Sequence, residues 1–374
     1  MQNRRYSGAD LSRETCRKVL LKRYVLSVAA ALAVALAAAG GAQAKAHHNH
    51  HRAARSLVPS FAPHPRAWLN ALTEFPRNPT PPHKAKHVHR QAAKRQPRPL
   101  NRLRATTLSI YEHSAKRSVL GAQGCSAAHR HENGVVVLDF GKPAFEHGGY
   151  GTIVFSGRFA TNHKITSAML GYARGYVSCL PKASTASIEL ARGTSNYHPA
   201  VPSAYETGVR WARETNKLAR ELARNGLDAH VEAAAADDAE PAWDPSFRKT
   251  GHFFHGFRAA VHGHTLFDYG SLDGGVGAIW SARQAWYVAG GLRHTMALPE
   301  IYNSAMAREW AELARIARGR YHRAVHFAGV MTQGTSSCSC GLRPPEAHRI
   351  LAQALVAQGV AHVQLPVGGT NIVG

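Results

Sequence analysis

Asp238 and Glu240 stand two apart where a run of four alanines gives way to Asp237, Asp238, Ala239, Glu240, Pro241, Ala242 and Trp243. In a strand, successive side chains alternate faces, so these two carboxylates share one side. Paired acids at a strand's C-terminal end suit acid–base chemistry on a sugar. One protonates the leaving oxygen while a partner carboxylate acts as base or nucleophile. An ordinary acidic turn has the same composition, so the surrounding elements decide between the two.

From residue 135 onward the chain alternates strand and helix. Short apolar runs at 135–139 and 187–191, a run beginning at Val231, and runs at 265–269, 295–298, 324–330 and 361–365 read as strands. Helical spacing separates them, for example at 165–180, where apolar residues recur at one face. After Ser203 and Glu206, which fit a capping box, Val209, Ala212, Leu218 and Leu222 give a face that Asn225-Gly226 ends. About seven strand–helix repeats predict a parallel sheet with helical crossovers. Eight close a TIM barrel in about this length. The expected fold is therefore α/β, a (β/α)8-type barrel with seven or eight strands, and residues 152–155 are the candidate for the missing one. A doubly wound open sheet competes, but no G-x-G-x-x-G or P-loop follows any strand.

In such a barrel all strand C-termini converge on one mouth, where active sites are built. The strand ends carry Asp139, then Asn196 and Tyr197, then Asp238 and Glu240, then Asp268 and Tyr269, then Glu300 and Tyr302, then Gln333. With Trp243, Trp280 and Trp286 they make a sugar site, since aromatic faces stack on pyranose rings and carboxylates grip hydroxyls. Glu240 is the expected acid, its proton held by an apolar neighbour, Trp243. Asp238 orients it or stabilises an oxocarbenium, and Glu300 or Asp139 is the opposing carboxylate. Asn196, Tyr197, Trp243, Asp268, Tyr269, Tyr302 and Gln333 are the expected substrate contacts. Acids are also common helix caps and loop residues, but five of six strand ends carrying an acid, or an amide with a tyrosine, favours a site.

The fragments Leu138-Asp139-Phe140-Gly141-Lys142-Pro143-Ala144, Gly193-Thr194-Ser195-Asn196-Tyr197 and Asp238-Ala239-Glu240-Pro241-Ala242-Trp243 carry a resemblance, together with Trp286-Tyr287-Val288, Pro299-Glu300-Ile301-Tyr302 and Thr332-Gln333. In this order, over roughly residues 120–340, the chain resembles a group of secreted actinobacterial proteins with a glycoside-hydrolase-like TIM barrel. The D-x-E at a strand end is also similar to the acidic signature of lysozyme-type and chitinase-type barrels, a fold-level analogy. The resemblance implies a barrel and a secreted life rather than a defined reaction. Ala239 departs from the aliphatic residue the family often has between the two acids. Glu189 stands where the family is usually uncharged and is left out of the site.

Charge divides the chain. The net charge is +23, and residues 1–105 hold 20 Lys/Arg against 3 Asp/Glu, leaving 26 against 20 in the remainder. A basic stretch with Arg17, Lys18, Lys22 and Arg23, an apolar run at 24–39 and the small-x-small Ala42-Gln43-Ala44 predict an export signal, or an N-terminal anchor if uncleaved, over 1–44. Residues 45–105, with eight histidines and thirteen Lys/Arg, cannot bury enough apolar surface to order, and read as a disordered linker with affinity for anionic surface polymers. No fold signature for nucleic-acid readout accompanies the charge. The barrel is expected over 120–374, as a monomer without cofactor or metal.

Beyond the signal, Cys125, Cys179, Cys338 and Cys340 suggest two disulfides with three possible connectivities in an exported protein. His252, His255, His262 and His264 lack an H-E-x-x-H pattern and read as core or surface histidines. Three functions remain open. The first is a glycoside-hydrolase-like enzyme on a cell-wall or extracellular polysaccharide. The second is a non-catalytic carbohydrate-binding barrel tethered by its tail, and the third a polycationic scavenger that rests on the tail alone.

Overall fold

The computed structural model describes residues 106–198, 201–333, 342–361, 363, 365–366 and 370–373. The expected export signal, the basic segment, Cys338 and Cys340 lie outside the described residues. The chain opens with β1 (Thr106–Tyr111), α1 (Arg117–His129) and β2 (Gly134–Asp139). Three short strands follow, β3 (Lys142–Glu146), β4 (Gly149–Ile153) and β5 (Phe159–Thr161), and then α2 (Asn162–Cys179). Next come β6 (Ile188–Ser195), α3 (Ala204–Arg224), β7 (Val231–Asp238), α4 (Arg248–Ala260) and β8 (Leu266–Asp268). The second half continues with α5 (Ala282–Trp286), a π-turn (Tyr287–Gly291), β9 (Thr295–Ala297) and α6 (Ser304–Tyr321). It ends with β10 (Met331–Thr332), α7 (Pro344–Ala357) and β11 (Thr370–Val373).

Eight strands form one sheet in the order β10-β11-β1-β2-β6-β7-β8-β9, each neighbouring pair parallel. Parallel bridges Ala297↔Phe327 and Glu300↔Met331 join β9 to the segment at β10. The sheet is thereby closed, and the fold is the eight-stranded barrel with helical crossovers. The eighth strand is β1, upstream of the expected start at 120. Its signal is brief: Leu108 and Ile110 alternate with Ser109 and Tyr111 directly beside the basic segment. Residues 152–155 are not that strand. They lie in and just after β4, inside an antiparallel β3-β4-β5 sheet inserted after β2. The expected strand at 324–330 shrinks to a bridge at Phe327 followed by β10, and the last strand is β11 rather than 361–365.

Strand alternation sorts the core into two layers. Val135, Val137, Ala191, Ala234, Ala236, Phe267, Leu298 and Met331 pack as one buried cluster inside the barrel. The four alanines of β7 find their reason there and in the layer outside: small residues facing Phe267 and Met331 fill the lumen without overpacking. Outside, α1 and α2 cover β1, β2 and β6 through Leu120, Ile165, Met169 and Tyr172. A Cβ on Gly175 of α2 would lie 1.9 Å from the Gly121 carbonyl of α1, so only glycine permits this helix approach. The disulfide Cys125–Cys179 joins the same two helices. Among the described residues, no helix is long and apolar enough to cross a membrane.

Candidate active site

The mouth is built where β2, β6, β7 and β9 end. β2 delivers Asp139, whose Oδ1 accepts from the Gly141 backbone N–H at 2.8 Å. Gly141 has φ +77° and a Cβ there would meet the Ile153 carbonyl at 2.5 Å, so glycine lets the inserted sheet fold back over the strand end. β7 delivers Asp238, paired in register with Ser195 of β6. Beyond it the chain is clamped by Asn196. That side chain donates to the Glu240 carbonyl at 2.9 Å and to Thr250 at 3.0 Å, and its Oδ1 accepts from the Glu240 N–H at 3.1 Å.

A cavity of about 480 Å³ opens at this point. Asp139 and Asp238 line it, both almost fully buried. Phe155 from the inserted sheet, Tyr197 after β6 and Trp243 after β7 line it as well, at 43%, 42% and 39% exposure, so three aromatic faces remain open to a ligand. Phe155 stacks on Tyr111 with ring centroids 4.5 Å apart. Lys142 contributes a cation to the lining, 5.6 Å above the Tyr197 ring.

The acids of the mouth chiefly face one another. Burial raises Asp139 to about 6, offset by its hydrogen bonds to Gly141 and Tyr269. Burial raises Glu240 to about 7, with Asp273 adding to it and a Ser271 hydrogen bond opposing. Burial, then the charge of Glu240, raises Glu300 to about 8 against a hydrogen bond from Tyr302. Asp238 is also pushed well up, first by burial and then by Glu240, Glu300, Asp139 and Asp237. Desolvation, the kind of cause expected at Glu240, comes first, and the charge of Asp273 adds to it. Perturbed acids gathered in a cleft are the usual physical mark of a functional site.

All four expected catalytic acids are therefore in electrostatic contact, Asp139 and Asp238 on the cavity wall and Glu240 and Glu300 beside Asp238. Of the four, Glu240 is the one that is not fully buried. Tyr197 and Trp243 line the cavity. Tyr302 is partly buried and bonded to Glu300, and Gln333 follows β10. Three expected substrate contacts are buried away from the cavity surface. Asn196 is fully buried and its amide is committed to the Glu240 backbone and Thr250. Tyr269 is buried, 1% exposed, its hydroxyl shared between the Thr194 carbonyl at 3.1 Å and Asp139. Asp268 pairs in register with Asp237, and alternation turns both toward the helix layer, away from Asp238. Trp280 and Trp286 are buried too, Trp280 donating to the Asp244 carbonyl at 2.8 Å and Trp286 stacking on Tyr321. Tyr111, Phe155 and Lys142 were missed. They come from the unrecognised first strand and from the insertion, whose pattern signals a hairpin and not a site.

No protein-family model and no curated protein matches the chain. Among solved structures, it is similar to a family 39 glycoside hydrolase from the gut symbiont Bacteroides cellulosilyticus WH2, at 12% identity and a TM-score of 0.37, over 73% of this chain and 56% of that one. It is also similar to the endoglucanase Cel5A of Pseudomonas stutzeri, at 10% identity and a TM-score of 0.35, over 68% of this chain and 74% of that one. The strand pairing, and not these likenesses, establishes the barrel.

Proposed function

We propose that the mouth hydrolyses a glycosidic bond in a cell-wall or extracellular polysaccharide. The observation that carries this reading is the cavity itself: two buried carboxyls, Asp139 and Asp238, beneath three exposed aromatic rings. Sugar rings stack on Phe155, Tyr197 and Trp243, which sets the scissile bond over the acids. Glu240, held up to about 7 and the most open of the four acids, gives its proton to the leaving oxygen. Asp139, the least raised at about 6, is the charged partner that acts as base or nucleophile. Asp238 stands between them and Glu300 stays protonated on Tyr302. The disulfide and the N-terminal basic-apolar pattern support export, and the polycationic segment supports retention on anionic surface polymers. The resemblance to secreted actinobacterial barrels belongs to the same reading.

The test is Glu240→Gln on peptidoglycan, arabinogalactan and α-glucan fragments, reading released reducing ends and binding together. Loss of the proton donor lowers kcat by roughly 10²–10⁴-fold while binding persists. The wild-type profile is bell-shaped and narrow, with an acid limb near 6 from Asp139 and an alkaline limb near 7 from Glu240. Unchanged activity in the variant on every cleaved glycan would sink the reading. The open aromatic rim also suits a binding module without turnover, and binding of all three glycans with no cleavage by the wild type would favour that.

A further inference from the structure

A second cluster of reactive side chains lies on the outside of the barrel, between α1 and α2. Cys125 and His129 are four residues apart on α1 and therefore share one face. Cys179 is the last residue of α2. The two sulfurs and an imidazole nitrogen all lie within 4.8 Å of one another. Among the described residues this is the grouping of three metal-ligating side chains that meets that distance; the acids of the mouth do not form one. His129 is exposed, and both cysteines line an open groove with Lys116, Arg117 and Arg174.

We propose that these three residues form a redox-gated metal site: joined as a disulfide when oxidised, and binding a zinc-class divalent ion through two thiolates and the imidazole when reduced. A tetrahedral ion with Zn–S of about 2.3 Å and Zn–N of about 2.0 Å needs ligand atoms roughly 3.5–3.8 Å apart. Once the sulfur–sulfur bond opens, side-chain rotation alone brings the three atoms to that spacing, and water takes the fourth position. A soft S₂N donor set selects zinc over calcium or magnesium. The chemistry balances with a dithiol reductant. It delivers two electrons and two protons to the sulfurs and becomes a disulfide itself, and the incoming ion then displaces both thiol protons. The groove admits both reactants, and its three cations favour the thiolate form that binds metal. In either state α1 remains tied to α2, by a covalent bond or by the ion. The site is independent of the barrel mouth and of the reading proposed for it.

The experiment uses the full chain with Cys16, Cys338 and Cys340 replaced by serine, so that only the pair in question can supply thiols. The protein is reduced anaerobically with a phosphine, which leaves as its oxide and does not compete for metal, and is titrated with Co²⁺. One equivalent is expected to produce a cobalt–thiolate charge-transfer band, absent from the oxidised protein. Histidines of the N-terminal segment bind cobalt without that band. Cys125→Ser abolishes the band, and His129→Ala weakens the titration roughly tenfold or more. His129→Ala retains the disulfide when oxidised, so its fold is checked by circular dichroism independently of the metal. No thiolate band in the reduced parent, persistence of the band in Cys125→Ser, or an unaltered titration in His129→Ala overturns the proposal.

Discussion

Arg192 and the acids of the mouth are both buried charge on neighbouring strands of one barrel, yet they are treated in opposite ways. Arg192 is 1% exposed and points into the helix layer. Its guanidinium donates to Asn162 Oδ1 at 2.6 Å and to Thr166 at 2.9 Å, and lies 4.0 Å from the centre of the Trp211 ring. Trp211 in turn donates to the Arg192 carbonyl at 3.1 Å. Burial lowers Arg192 to about 9, opposed by the charge of Glu214. Among the described residues, one oxygen of Asp238 at the mouth has no hydrogen-bond partner, and neither oxygen of Asp237, behind it on the helix-layer face, has one. The charges acting on Asp237 and Asp238 are other carboxyls. Arg192 meets an amide, a hydroxyl and a ring face, and leaves its Nε unbonded among the described residues; the acids have chiefly one another, so protons supply the compensation. The contrast marks which polar groups hold the barrel together and which are held ready by it.

The largest expected effect tests the structural side. Arg192→Ala removes a packed side chain and strands Asn162 and Thr166, and is expected to cost about 3–5 kcal/mol. The denaturant midpoint should fall at unchanged m-value, and a loss below about 1 kcal/mol would show that the network contributes little. The opposite result is expected at Asp268. Burial holds it at about 8, against about 3.9 in the unfolded chain, so the fold keeps its proton where the unfolded chain has lost it. Its stabilising share is complete below about pH 4 and disappears as the pH climbs through about 8. Asp268→Asn keeps a neutral group of the same shape and removes that dependence. The variant's stability should therefore decline less with pH across this window, by at most about 1.4 kcal/mol per pH unit. Parallel denaturation curves for the two proteins at both ends of the window would erase the contrast between Arg192 and the buried acids.

The barrel was readable because a parallel sheet writes itself as repeated apolar strands and helical crossovers, and the acids were readable because they follow those strands. What escaped is equally physical. β1 is six residues beside a long basic segment, and composition masked it. β10 is two residues held by bridges, and β11 is four residues preceded by an alternating run at 361–365 that offers itself as the strand instead. Alternation alone separates Asp237 from Asp238, and the sequence shows it once the strand is placed. It cannot show that Asn196 spends its amide on the next strand's exit and on Thr250 of the helix that follows, because that depends on which strands are neighbours. Trp280 and Trp286 failed as sugar platforms for a similar reason, since a tryptophan after a strand looks the same whether it caps a helix layer or rims a cavity.

Trp243 offers the smallest and most selective test of the comparison. It sits five residues beyond Asp238, 39% exposed, on the cavity that Asp139 and Asp238 line. If the mouth is held ready for a ligand rather than for the fold, its rim can be cut without structural consequence. Trp243→Ala is expected to change stability by no more than about 0.5 kcal/mol. Oligosaccharide binding should weaken about tenfold, equivalent to about 1.4 kcal/mol. Thermal denaturation and glycan titration on the same preparation read the two quantities side by side. A large loss of stability with binding intact would move Trp243 to the side of Arg192. It would also take away one of the three aromatic faces on which the proposed sugar site rests.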